Sequence, residues 1–178
     1  MTPQTTTVDR SELLRLLENS RQELHAAIAG LSDAQAAASP GPERWSVLEC
    51  LEHVTTVEQR FLERLKEAVQ SDAPAADKER EAAFLARVVD RSTRAQAPEL
   101  VRPVGRFRKL SDAVESYNAA RAATMSFVEE NHASLYPRLL SHPRFGALNG
   151  YEYILLIAGH SRRHTAQILE TRAAVVAN

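Results

Sequence analysis

The stretch Tyr153-Ile154-Leu155-Leu156-Ile157-Ala158-Gly159-His160-Ser161-Arg162-Arg163-His164-Thr165-Ala166-Gln167-Ile168 decides the fold class. Tyr153, Ile157, His160, His164 and Ile168 recur three or four residues apart, the interval at which side chains share one face of an α-helix. The apolar stripe on that face runs through both histidines, so the imidazoles are carried toward a core. A neutral imidazole buried there needs a partner, and two on one face, one turn apart, can chelate a single ion. Two unrelated histidines produce the same spacing, so the pair alone leaves both readings open. It is not the H-E-x-x-H motif of metalloproteases, because Ser161 stands where the glutamate base would be. Asn149 and Glu152 have the spacing of a capping pair and predict a helix over about 149–174.

Three further helices are predicted upstream. Asp9 and Glu12 open the first, over about 9–29, with Leu13, Leu17, Leu24 and Ile28 on one stripe and Gly30 as its stop. Ser39-Pro40-Gly41-Pro42 marks a loop. Ser46 and Glu49 form an S-x-x-E capping box for a second helix over about 46–70, whose core face carries Leu51, Val54, Phe61, Leu65 and Val69. Ser111 or Asp112 can cap a third, over about 111–130, with Val114, Tyr117, Arg121, Met125 and Val128 near one line. Pro137, Pro143 and Gly146 then interrupt the chain. The connection between helices two and three, about 71–110, contains a candidate short helix from Glu79 to Val89 and is otherwise loop-like; such a length permits a crossover. The expectation is an all-α four-helix bundle in a single domain over 1–178.

Composition agrees and excludes several functions. The chain has 178 residues, 44% hydrophobic and 25% charged, the balance of a globular protein large enough to bury a core. Its formal charge of −1 supplies no field to hold nucleic acid or anionic lipid. Cys50 is the single cysteine, which excludes an intrachain disulfide framework and a thiolate-rich zinc site and fits a reducing compartment. The N-terminal MTPQTTTVDR is too polar for a secretory signal, and the longest apolar run, around Tyr153–Ala158, is too short to cross a bilayer. The expected location is the cytoplasm, with no membrane and no nucleic-acid partner.

A third histidine changes the weight of the pair. His53 lies two turns into the second helix, beside the stripe of Leu51, Val54 and Phe61. Alone it reads as a hydrogen-bonded core residue; with His160 and His164 it completes an open three-histidine site between facing helices. His25, His132 and His142 read as solvated surface histidines. Cys50, one turn before His53, reads as a small buried hydrophobe.

These residues resemble a family. Arg44-Trp45-Ser46-Val47-Leu48-Glu49-Cys50-Leu51-Glu52-His53-Val54 looks like the opening of the second helix in DinB-like proteins. His142-Pro143-Arg144-Phe145-Gly146 with Tyr151-Glu152-Tyr153 is similar to the segment before their last helix, and Ala158–Ile168 to that helix's closing H-x-x-[RH]-H-x-x-Q-[IL]. Order and spacing agree over nearly the whole chain, apart from residues 71–110. The resemblance implies a four-helix bundle of the DinB-like type, frequently a homodimer, holding a divalent metal, typically zinc or nickel, on His53, His160 and His164. Relatives include thiol-S-transferases and isomerases that use mycothiol, bacillithiol or glutathione. It therefore implies a low-molecular-weight thiol cosubstrate and a small-molecule substrate.

Three neutral ligands leave the ion's charge undiminished and a position free, so a bound water or thiol can be activated near neutral pH. The expected function is a metal-dependent enzyme, thiol-S-transferase-like or hydrolase-like, acting on a small electrophile. Tyr117 and Arg121 are the catalytic candidates, Arg121 as a holder of an acidic cosubstrate group; a core tyrosine and a surface ion pair are their other readings. Glu49 can orient a ring or simply close the capping box, Gln167 can face the site, and Arg162 and Arg163 point to solvent or a partner subunit. A different class stays open: a non-catalytic metal-binding stress protein or dimeric interaction module, its site closed by Cys50 or a carboxylate. In a third, the histidines are hydrogen-bonded without metal.

Overall fold

Capping chemistry sets where the helices begin. Asp9 accepts from the Glu12 amide and opens α1 (Arg10–Ile28). Reciprocal capping boxes of Ser32 with Gln35, Ser46 with Glu49 and Asn149 with Glu152 open α2 (Asp33–Ala37), α3 (Val47–Glu67) and α6 (Gly150–Val176). Asp77 caps α4 (Lys78–Val89), the short helix foreseen in the long connection. The computed structural model describes residues 9–93 and 96–177; the stretch 1–8 that carries most of the polar N-terminal reading lies outside them. The start of α5 (Leu110–Asn131) corrects the sequence reading. Neither Ser111 nor Asp112 caps it; Asp33 of α2 accepts from the Leu110 amide at 2.8 Å instead. A tertiary contact does what a local cap was expected to do.

Helices α1, α3, α5 and α6 form a four-helix bundle, packed in the ring order α1–α6–α3–α5. Two apolar clusters fix the directions. One joins Leu13 and Leu17 to Leu62, Leu65, Phe127, Val128 and Tyr151–Ala158; the other joins Leu24 and Ile28 to Val47, Leu51, Ala113, Tyr117 and Ile168. The end of α1 therefore lies with the starts of α3 and α5 and the later part of α6. Neighbours α3 and α5 run parallel, as do α1 and α6. That topology explains the long connection: the chain must return along α3, about 31 Å for its 21 residues, before α5 can begin.

The return path is built on α4, which packs on the outer side of α6. Residues 150–159 are consequently buried on every side, which is why that stretch is apolar apart from Glu152, whose carboxylate closes the helix cap and pairs with Arg80. Gly159 permits the approach: a Cβ there would meet Val88 Cγ1 at 2.8 Å and Leu85 Cδ1 at 3.0 Å. Two elements depart from a purely helical reading. Residues before α6 form an antiparallel hairpin, β1 (Leu139–His142) and β2 (Gly146–Asn149), with Gly146 at φ +74° in the turn. And α3 stops at Glu67, so Val69, assigned by sequence to the core face, is 70% exposed; its carbonyl accepts from the Leu139 amide.

Candidate metal centre

His53 on α3 and His160 and His164 on α6 meet where these antiparallel neighbours cross. One ring nitrogen from each lies within 4.8 Å of the others, and the Nε2 atoms of His53 and His160 are 3.2 Å apart. That separation suits a shared proton or a shared ion. Two nitrogens each bound to a tetrahedral zinc stand about 3.3 Å apart, from Zn–N bonds of about 2.0–2.1 Å.

The rings are held from behind. His53 Nδ1 is 2.7 Å from the carbonyl oxygen of Val101, which only accepts, so Nδ1 carries the proton and Nε2 keeps its lone pair. His164 Nδ1 likewise donates to Gln167 Oε1 at 2.9 Å, and Arg91 donates to the same oxygen, which fixes the amide's orientation. Both imidazoles therefore aim free Nε2 lone pairs at one point, the arrangement outer hydrogen bonds impose on ligating histidines. Val101 ends a 3-10 turn, Glu99–Val101, in a loop clamped by Glu52. This buried carboxylate accepts from the amides of Val104, Gly105 and Arg106 at 2.8, 3.1 and 2.9 Å.

Burial and crowding keep the site neutral. Desolvation holds His53 below the usual imidazole value, partly opposed by the Val101 bond. Burial first, then His53, brings His164 to about 3, and burial with both neighbouring histidines takes His160 well below its ordinary value. Trp45 walls one side, its ring 4.8 Å from that of His53 and stacked on His164 at 6.1 Å; Phe61 lies edge-on to His160 at 6.4 Å. His53 and His164 are 4% and 8% exposed, whereas His160 is half-buried and forms the open side.

The other sequence candidates fall elsewhere. Arg121 is fully buried and spent on structure: Nε and Nη2 make a paired contact with Glu58, and Nη1 donates to the Leu17 carbonyl and Ser20. With no solvent-facing donor it is not placed to hold a cosubstrate, and its ion-pair reading is the one observed, in the core rather than on the surface. Tyr117, also buried, bonds Ser161 at 2.9 Å, adjoining the ligand helix without reaching the histidine nitrogens by any bond. Glu49 closes the capping box with Ser46, and Gln167 does face the site.

Cys50 is fully buried among apolar residues, its thiol pushed up to about 12 by burial. Neither it nor a carboxylate joins the ligand cluster among the described residues. Arg162 pairs with Glu23, and Arg163 donates to the carbonyls of Asp90 and Thr93. None of the three histidines read as solvated is fully exposed. His25 is half-buried and bonds Asn118 at 2.7 Å, and His142 is half-buried on β1 with its ring 5.8 Å from Phe61. His132 bonds the Glu129 carbonyl at the end of α5.

Comparison with known proteins agrees with this architecture. Residues 16–168 match the family model of the DinB superfamily, and the chain belongs to that superfamily. The uncharacterized protein YuaE of Bacillus subtilis is 29% identical over 163 residues, covering 89% of this chain and 96% of its own. A conserved protein of Enterococcus faecalis shares the fold with a TM-score of 0.66 at 13% identity, covering 97% of this chain and 100% of that one. YfiT of Bacillus subtilis, described as a probable metal-dependent hydrolase with an unusual four-helix bundle topology, matches with a TM-score of 0.56 at 15% identity, over 91% of this chain and 85% of its own. Among the described residues no helix is long and apolar enough to cross a membrane.

Proposed function

We propose that this protein is a metal-dependent enzyme, hydrolase-like or thiol-S-transferase-like, acting in the cytoplasm on a small electrophilic molecule. The observation that carries the reading is the convergence of three neutral imidazoles, two of them tautomerically fixed with Nε2 facing inward. His53, His160 and His164 would hold the ion, with zinc or nickel as the candidates and a homodimer as the candidate assembly. When bound, a divalent ion on three neutral ligands supplies activation of a water or thiol at its open position near neutral pH.

The chain's own groups do the rest. Val101 and Gln167 orient the ligands, Trp45 and Phe61 exclude bulk water from two sides, and half-buried His160 marks the approach. The description of YfiT as a probable metal-dependent hydrolase supports the same class. A low-molecular-weight thiol as cosubstrate belongs to the transferase branch.

The test is elemental analysis of tag-free protein reloaded after metal depletion, beside His53→Ala and His164→Ala, followed by hydrolysis and thiol-transfer screens. Near-stoichiometric metal in the wild type, lost in both variants, is expected. A wild type that takes up no metal would overturn the reading. Stoichiometric metal without turnover would move the protein to the non-catalytic class.

A further inference from the structure

The hairpin brings a set of hydrogen-bond donors toward the histidine cluster and no acidic side chain with them, since residues 139–149 contain neither Asp nor Glu. His142 on β1 and His160 on α6 flank the Phe61 ring, at 5.8 and 6.4 Å between centroids. The backbone amide of Arg144 donates to His142 Nδ1 at 3.2 Å, so a neutral His142 carries its proton on Nε2. Among the described residues that Nε2–H has no acceptor. Among the described residues the Arg144 guanidinium also makes no hydrogen bond; it lies over the Phe145 ring, which is tilted against His142 at 4.9 Å.

From α3, Arg64 donates to the Ser141 carbonyl and rests over the Tyr153 ring at 5.7 Å. The buried Tyr153 hydroxyl has that guanidinium as its polar neighbour. Arg87 also lies over the Phe145 ring, at 5.1 Å. Arg163 donates only to backbone carbonyls.

Charge follows the same pattern. The described ion pairs employ Arg21, Lys78, Arg80, Arg91, Arg121 and Arg162. None involves Arg64, Arg87, Arg144 or Arg163, and Asp90, an acidic side chain within electrostatic range of Arg144 and Arg163, is turned to Ser92. A chain of net charge −1 thus sets uncompensated guanidinium groups and unpaired donors around a neutral ligand cluster. The group missing from this arrangement is an anionic acceptor.

We propose that the molecule acted on at the histidine centre carries an anionic oxygen group, carboxylate or phosphate, that docks on Arg64, His142 and Arg144. This rests on the metal-centre reading for the position of the reacting end, and on fixed guanidinium charge for the anionic end. Planar guanidinium forks match such groups through paired hydrogen bonds. It also reassigns the anion-holding role: Arg121 is enclosed in the core, and the arginines of the hairpin and of α3's outer face take its place.

Cobalt-loaded protein titrated at low salt with 3-mercaptopropionate and with its neutral analogue 3-mercaptopropan-1-ol reads the preference through the visible spectrum. The wild type is expected to bind the carboxylate thiol about tenfold tighter, the yield of one charge-assisted pair. Arg64→Gln and Arg144→Gln abolish that preference with cobalt content intact, whereas Arg15→Gln, the same charge removed from α1, preserves it. No preference in the wild type, or a preference kept in both rim variants, overturns the proposal.

Inorganic phosphate titrated into metal-free protein by calorimetry separates this from the metal reading. If cobalt does not bind, the metal reading fails. Phosphate binding weakened in Arg64→Gln and Arg144→Gln but not in Arg15→Gln then sustains the anion site, and equal binding in all of them overturns it.

Discussion

His53 donates its Nδ1 proton to the Val101 carbonyl at 2.7 Å, across 48 residues of sequence. The bond fixes which nitrogen of His53 faces the cluster, and it depends on the residue next door. Glu52 holds the loop in place by accepting three consecutive amides from Val104 to Arg106. Consecutive residues of α3 thus supply a ligand and the anchor of the group that orients it.

Glu52→Gln is therefore expected to weaken metal binding while leaving all three histidines in place. An amide has one acceptor oxygen where the carboxylate has two, and its NH2 would face amide donors. Loss of such outer-shell support costs about 10–100-fold in metal affinity. Chelator competition measures the affinity, and hydrogen exchange at Val104 and Arg106 reports loosening of the loop. An affinity equal to wild type would show that the loop does not orient His53.

Much of the bundle was legible because its signals are local. Asp9, Ser46 with Glu49 and Asn149 with Glu152 cap the helices that their spacing predicts, and the stripe through His160 and His164 does carry both rings inward. What was not legible depends on distant partners. Leu110 is capped by Asp33, 77 residues away, so Ser111 and Asp112 were misleading. Val69 has the period of a core residue but follows the helix end, where the chain turns to meet Leu139. Arg121 looked available because helical spacing gives its face and not its partner, Glu58. His142 looked solvated because β1 was unpredicted: a four-residue strand followed at once by Pro143 has too few alternations to register.

Arg121 and Glu58 predict a coupling that a catalytic arginine would not show. The pair is buried at 0% and 2% exposure, and Thr124 donates to the same carboxylate. Removing one partner leaves a buried charge unpaired and costs about 3–5 kcal/mol, whereas replacing both removes that penalty. Arg121→Met and Glu58→Met should each lower stability strongly, and the double variant by clearly less than their sum. Urea unfolding of the four proteins measures the cycle, with metal content expected to stay unchanged in any variant that folds. Additive effects would deny the pairing.

Acid should destabilise the metal-free protein through its histidines. An unfolded imidazole titrates near 6.5, whereas His164 folded titrates at about 3 and His53 and His160 are also depressed. Between those values the unfolded chain binds more protons, so stability is complete above about pH 6.5 and declines as pH falls toward 3. Unfolding of metal-free protein at pH 7.5, 6 and 5 should show this decline, and His164→Gln should flatten it. A wild-type stability constant over that range would refute the assigned neutrality.

Gly159 sets the distance between α4 and the ligand helix, and substitution there opposes two effects. Alanine raises helix propensity by about 1 kcal/mol. Its Cβ, however, would lie 2.8 Å from Val88 Cγ1 and 3.2 Å from Val88 Cβ, and overpacking of a closed core costs about 1–3 kcal/mol. The second effect should win, giving net destabilisation on the order of 1 kcal/mol from these two estimates. Val88→Ala removes the nearest methyl group and leaves Leu85 Cδ1 at 3.0 Å, the end of a side chain that can shift, so the double variant should be more stable than the sum of the single changes allows.

Gly150 provides the contrast. A Cβ there would meet the Leu135 carbonyl oxygen at 2.5 Å, a backbone atom that no side-chain truncation withdraws, so Leu135→Ala should give Gly150→Ala no relief. His160 follows Gly159 directly, and displacement of α6 by α4 moves a ligand. Gly159→Ala should accordingly lower metal affinity as well as stability, with both recovering together in the Val88→Ala background. Recovery of stability without metal affinity would show that α4 supports the fold alone and does not position the centre.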